Sequence, residues 1–98
     1  MSVDWSKYTP IAKQTGLSIA ASSTGLTVPT ATKPRAALVQ VLVAPIRFWV
    51  DTSTPTASQG HRADVNDQIE LASYAEVNNF RAIRETTVSA TLEITYYT

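Results

Sequence analysis

Apolar and polar residues alternate without a break near the end of the chain, and this pattern limits the fold more than any other. The apolar positions are Val88, Ala90, Leu92, Ile94 and Tyr96, and a single polar residue separates each from the next. Because successive side chains of a β-strand point to opposite faces, a period of two predicts a half-buried strand over residues 88–97. One face of this strand should lie on a hydrophobic core.

Residues 36–50 are apolar on both faces of a predicted strand. Three valines share one face and three other apolar residues share the opposite face: Val39, Val41 and Val43, and Leu38, Leu42 and Ala44. Such a strand is covered on both sides, and the second cover can be another subunit. Pro45 has no N–H for a ladder hydrogen bond, so it predicts a bulge, an edge, or a break before a second strand that contains Phe48.

Short apolar segments and turn residues alternate through the rest of the chain. We predict a loop over 51–60, a tight turn at 66–67, one helical turn over 74–80, and short strands at 17–21, 25–28, 61–64, 68–72 and 81–84. This spacing is typical of an all-β fold. We expect a single β domain over residues 17–98 that forms a small antiparallel β-sandwich or barrel.

The first part of the chain differs from the rest. Trp5, Tyr8 and Ile11 recur at a spacing of three residues, but Pro10 interrupts any long helix. Residues 1–16 are therefore predicted to form an extended N-terminal arm whose aromatic side chains dock on a neighbouring subunit. The alternative is that the arm folds back over Trp49 of its own chain.

Composition excludes several classes of function. Eight basic residues balance eight acidic ones, and they are scattered, whereas a nucleic-acid-binding surface needs a basic stripe. No apolar run approaches the ~20 residues of a membrane span. The chain has no cysteine and only 16% charged residues, against a typical ~25%. A surface so poor in charge suits permanent contact with other proteins, although Ser/Thr-rich turns explain it equally well.

The residues that carry chemistry are isolated from one another. His61 is the only histidine, and no nucleophile and orienting group accompany it in a recognisable pattern. Asp64 and Asp67 flank Asn66, which fits a tight turn better than a calcium loop, because the glycine and distal glutamate of such a loop are missing. We therefore predict no catalytic residue, no cofactor and no metal site.

The chain has more aromatic residues than a small core can hold. Strand alternation places Phe48 and Tyr96 inside and leaves Trp49 and Tyr97 on outward faces. Outward aromatic residues are typical of protein interfaces, of intrachain cover by a terminal segment, and of sugar-binding platforms. The candidate interface residues are Trp5, Tyr8, Ile11, Trp49 and Tyr97.

A series of short motifs follows the apolar strand between residues 36 and 97. They are Arg47-Phe48, Asp51, Pro55-Thr56, Gly60, Ile69-Glu70-Leu71, Glu76-Val77 to Phe80, and Thr95-Tyr96-Tyr97. In this order, and over about two thirds of the chain, they resemble small β-sandwich virion proteins of tailed bacteriophages, including capsid decoration proteins. The chain departs from that pattern at Thr52, where a glycine is expected.

The resemblance implies a non-enzymatic structural protein of the virion, made in the host cytoplasm and placed on the capsid surface. We expect a capsid decoration or cement protein that stabilises the head as a homo-oligomer, with a trimer favoured. Its partners would be the major capsid protein or other virion proteins. The first alternative is a neck, tail or fibre-attachment component of the same virion, and the second is a glycan-binding β module. The resemblance assigns no functional residues.

Overall fold

Two four-stranded antiparallel sheets pack face to face in the computed structural model, which describes residues 3–98. In spatial order, sheet A contains β1 (Pro10–Ile19), β8 (Ala90–Tyr97), β3 (Ala36–Leu42) and β6 (Gln68–Leu71), and sheet B contains β2 (Thr24–Gly25), β7 (Arg81–Arg84), β4 (Ile46–Trp49) and β5 (His61–Ala63). A 3-10 turn (Trp5–Lys7) precedes β1, and one helix, α1 (Tyr74–Asn79), joins β6 to β7. The predicted all-β class is confirmed in its sandwich form, because the two sheets do not close into a barrel.

The last strand follows the predicted alternation. Ala90, Leu92, Ile94 and Tyr96 of β8 are all buried, and the residues between them are half-buried. The prediction is wrong for Val88, which lies before the strand begins and is 52% exposed. The alternation in the sequence therefore begins before the point where the backbone joins the sheet at Ala90.

Pro45 separates two strands, as predicted, but the residues before it take an unexpected path. Val39 and Val41 are buried, whereas Val43 is 64% exposed and Ala44 is buried instead. Val43 has a φ of 77°, and the N–H of Ala44 donates to the carbonyl of Leu42 at 2.9 Å. This is a γ-turn with positive φ, a strained conformation for a β-branched residue. Because of this turn, Ala44 points into the core and Val43 points into solvent, the reverse of the prediction for Val43.

The predicted boundary of the N-terminal arm is wrong. Residues 10–16, assigned to the arm, belong to β1, which pairs along β8. A bulge between Gln14 and Leu17 accommodates the long strand, and Gly16 takes a φ of 65° there, which glycine adopts without a steric penalty. Residues 3–9 remain outside the sheets, and the first two residues of the predicted arm lie outside the described residues.

Helix α1 is short, and its start is fixed by side-chain capping. The hydroxyl of Ser73 accepts from the N–H of Glu76 at 3.2 Å, and the carboxylate of Glu76 accepts from the N–H of Ala72 at 3.0 Å. These bonds satisfy backbone donors that have no partner within the helix. Val77 anchors the helix in the core. The helical segments among residues 3–98 span three and six residues, and neither could cross a bilayer.

One core joins the two sheets. Its members include Ile19, Val39, Ile46, Leu71, Phe80, Leu92 and Ile94. The largest buried side chain is Tyr96, whose hydroxyl lies 2.9 Å from Oε1 of Gln14 and 3.1 Å from the carbonyl of Thr27. The buried hydroxyl is therefore satisfied, and it connects β8 to β1 and to the segment after β2.

Candidate functional site

Three of the predicted interface residues form one cluster on the outer side of sheet A. The ring centroids of Trp5 and Tyr97 are 4.5 Å apart, and those of Trp5 and Tyr8 are 5.8 Å apart. The guanidinium of Arg35 lies 4.7 Å from the centroid of the Tyr8 ring, within the range of a cation–π interaction. We call residues 3–9, which carry Trp5 and Tyr8, the N-terminal strap.

Glu70, on the edge strand β6 of sheet A, also holds the strap. Its two carboxylate oxygens accept from the indole N–H of Trp5 at 3.1 Å and from the backbone N–H of Val3 at 3.0 Å. This contact could not be predicted, because Trp5 and Glu70 are 65 residues apart in the sequence. The strap therefore folds back on its own chain, as the alternative prediction has it, but it covers Tyr97 and not Trp49.

The other two predicted interface residues lie elsewhere. Ile11 is half-buried in β1 and packs against the core. Trp49 lies at the end of β4 in sheet B, where it pairs with Arg81, and its ring is 5.2 Å from that of His61. The five predicted residues therefore do not form one surface.

A second surface, absent from the sequence predictions, lies where three turns meet. Among residues 3–98, the exposed large apolar side chains are those of Val43, Val65, Val88 and Tyr74. The three valines occupy the turns between β3 and β4, between β5 and β6, and between β7 and β8. We call these three turns the valine end of the sandwich.

The strand pairing places the three turns together. Leu42, just before Val43, pairs with Thr91, which is three residues after Val88. The carbonyl of Val41 accepts from the N–H of Asn66, next to Val65, at 2.7 Å. The N–H of Glu85 donates to the carbonyl of Pro45 at 3.2 Å. Exposed apolar side chains from three separate turns therefore share one end of the molecule, which makes this end a candidate surface for protein contact.

Ion pairs form a network beside the valine end. Glu85 accepts from Nε of Arg47 at 2.7 Å and from Nε of Arg62 at 2.8 Å, and Arg62 also lies 3.3 Å from Asp64. Hydrogen bonds from Arg62, and further from Arg47, lower the pKa of the Glu85 carboxyl. The Arg47 side chain also donates to the carbonyl of Gly60 at 3.1 Å. This network holds Glu85, just after β7, and Gly60, at the end of the 51–60 loop, to β4 and β5.

The acidic turn beside Val65 uses its carboxylates for local hydrogen bonds. Asp67 accepts from the N–H of Asp64 at 2.8 Å, and Asp64 accepts from the N–H of Val65 at 2.8 Å. Asn66 has a φ of 73°, which asparagine tolerates well. The predicted tight turn is therefore present. Within residues 3–98, no three side chains of the metal-binding types are grouped.

Comparison of the chain with models of protein families, with curated proteins and with solved structures found no match. The resemblance to virion proteins of tailed bacteriophages therefore rests on the sequence motifs alone. The structure is a sandwich with an aromatic strap on sheet A and three exposed valines at one end.

Proposed function

We propose that this chain is a structural protein of a phage virion, and that it acts as a capsid decoration or cement protein. One observation carries the proposal: Val43, Val65 and Val88 are exposed together at one end of a sandwich. Burying apolar surface is worth roughly 25 cal/mol per Å², so these side chains are better suited to a contact with another protein than to solvent.

The backbone at Val43 supports a role in binding. A β-branched residue at positive φ costs about 1–3 kcal/mol, and a glycine would remove both the strain and the exposed side chain. The chain instead keeps a strained valine at the most exposed of the three positions. Strain that persists in a solvent-exposed turn is typical of functional contacts.

The proposed partners are the major capsid protein or other virion proteins, and the chain is proposed to act as a homo-oligomer, with a trimer favoured. Contacts made by many copies would tie neighbouring capsid subunits together. A neck, tail or fibre-attachment role uses the same contacts but a small, fixed number of copies. The sequence motifs are compatible with both positions in the particle.

The test uses particles of the phage whose genome encodes the chain. Purified protein is added to shells that lack it, and bound protein is measured by cosedimentation. Val43→Asp and Val88→Asp should each reduce binding at least tenfold, because each buries a charge in an apolar contact. Tyr74→Asp is the matched control, since Tyr74 is also exposed but lies in α1 rather than at the valine end.

Two results would overturn the proposal. One is wild-type binding by both valine variants, and the other is absence of the chain from the particle by mass spectrometry. The copy number per particle separates the two positions. A value close to that of the major capsid protein supports decoration, and a small ring number supports the neck, tail or fibre alternative.

A further inference from the structure

A cleft of about 340 Å³ opens at the end of sheet B away from the valines. Its lining includes Leu26 after β2, Thr52 after β4, Asn78 and Asn79 of α1, and Arg81 at the start of β7. Its volume lies at the lower end of the roughly 300–1,000 Å³ of small-molecule sites. Gly25 and Phe80 complete the lining, and four of its seven residues carry polar side chains.

Arg81 is held in position but has no carboxylate partner. Its Nε and Nη2 donate to the hydroxyl of Ser23 at 3.3 and 3.0 Å, and Nη2 also reaches the carbonyl of Ser23 at 3.2 Å. Within residues 3–98, Asp and Glu side chains pair only with Arg47 and Arg62. Nη1 makes no hydrogen bond within residues 3–98, so it can donate a charge-assisted hydrogen bond to a carboxylate oxygen of a ligand.

Neutral hydrogen-bonding groups surround this arginine. The side-chain amides of Asn78 and Asn79 make no hydrogen bond to any other group of residues 3–98. Each amide offers two donors and an acceptor. Donors and acceptors in this mixture match hydroxyl groups, which also donate and accept.

Thr52 adds a second, independent sign of function. Its φ is 75°, in the left-handed region that costs a β-branched residue about 1–3 kcal/mol. Glycine would adopt this conformation without cost, and glycine is the residue expected there from the resemblance. The chain keeps a strained threonine at the rim of the cleft instead.

Leu26 supplies an apolar side chain to the cleft, where it is half-buried. The apolar face of a sugar ring can pack against it. Trp49 lies opposite Arg81 in the pairing of β4 with β7, but its ring packs on His61 and is not part of the lining.

We propose that this cleft binds a sugar that carries a carboxylate, such as a uronic or sialic acid. Arg81 binds the carboxylate through Nη1, and the amides of Asn78 and Asn79 and the side chain of Thr52 bind hydroxyl groups. Ser23 is a positioning residue that holds Arg81. This activity is independent of the proposed place of the chain in a virion.

The test is a titration of the ¹⁵N-labelled full chain with N-acetylneuraminate, glucuronate, glucose and acetate, followed by NMR. The acidic sugars should give saturable shifts at residues 52, 78, 79 and 81, and should bind about tenfold or more tightly than glucose, because glucose lacks the charged partner. Equal affinity for acetate and glucuronate would show a carboxylate site only and would overturn the proposal, as would the absence of saturable shifts.

Variants separate binding from folding. Arg81→Gln should abolish the preference for acidic sugars, and Arg84→Gln, on the same strand at its far end, is the matched control. Thr52→Gly should raise the melting temperature while weakening sugar binding, a combination that a purely structural role for Thr52 does not produce. Sugar affinity unchanged in both Arg81→Gln and Thr52→Gly would contradict the proposal. Tighter binding of an acidic peptide than of either acidic sugar would contradict it as well.

Discussion

The ring of Trp5 packs against the ring of Tyr97, with centroids 4.5 Å apart, so the strap at the beginning of the chain rests on the last strand. The indole N–H of Trp5 also donates a hydrogen bond to Glu70 on the edge strand β6. Trp5 therefore joins β8 and β6 across the outer side of sheet A. The strap belongs to the folded unit of a single chain.

We predict that Trp5→Ala lowers the free energy of unfolding by about 1–3 kcal/mol, because it removes an aromatic pair and a hydrogen bond to a carboxylate. Chemical denaturation measures the loss. The conservative control is Glu70→Gln, which keeps an acceptor for the indole N–H. The loss caused by Trp5→Ala should be the same at every protein concentration, because the strap contacts its own chain. A loss that changes with concentration would instead indicate that the strap is exchanged between subunits.

Leu92 lies at the centre of the buried face of β8 and has no exposed surface. Leu92→Ala is expected to cost about 2–5 kcal/mol, since it removes apolar contacts and leaves a cavity. Thr91→Ala, on the opposite face of the same strand, is the matched control and should stay within about 1 kcal/mol. A loss below about 1 kcal/mol for Leu92→Ala, measured by urea denaturation, would contradict the assignment of the core.

Glu85 makes the stability of the fold decrease in acid. Its pKa is lowered in the folded protein, chiefly by the hydrogen bond from Arg62, so folding favours the ionised form. The stabilisation is present above the ordinary pKa of 4.5 and is lost as the pH falls through the lower folded value. The difference in melting temperature between wild type and Glu85→Gln should therefore be largest near neutrality and shrink in acid. A difference that stays constant down to strongly acidic pH would refute this coupling.

Tyr96 makes the stability of the fold decrease at alkaline pH. Burial raises the pKa of its phenol from 10.0 to about 12, so the folded protein favours the neutral form. Stability should therefore be unaffected below pH 10 and fall as the pH rises from there towards 12. Tyr96→Phe removes the ionisable group and should lose less stability over this interval than the wild type. Ultraviolet absorbance of the phenolate should show one fewer late-titrating tyrosine in Tyr96→Phe.

Local patterns in the sequence were sufficient for most of the sheet structure. The alternation that ends in Tyr96 and the missing N–H of Pro45 act within a few residues, so β8 and the break between β3 and β4 could be predicted. The helical turn predicted over 74–80 is present as α1, and its signal is also local. The facing of β8 and of Leu71 in β6 followed from their period of two.

The surfaces could not be predicted because they depend on distant contacts or on the backbone. The strap is held by Glu70, far away in the sequence, and its aromatic spacing suggested an arm free to reach a neighbour. Val43 continues the apolar pattern of β3, and only the γ-turn exposes it. Val88 continues the pattern of β8 in the same way, because a periodic sequence does not show where pairing stops.

The pairing of Thr9 with Thr98 fixes where anything attached to the end of the chain would emerge. Each residue donates its N–H to the carbonyl of the other, at 2.8 and 2.9 Å, at the end of sheet A away from Val43, Val65 and Val88. A cargo domain fused after Thr98 would leave the sandwich on the side opposite the valines. The fold could then display such a cargo outward while the valine end binds the partner proposed above.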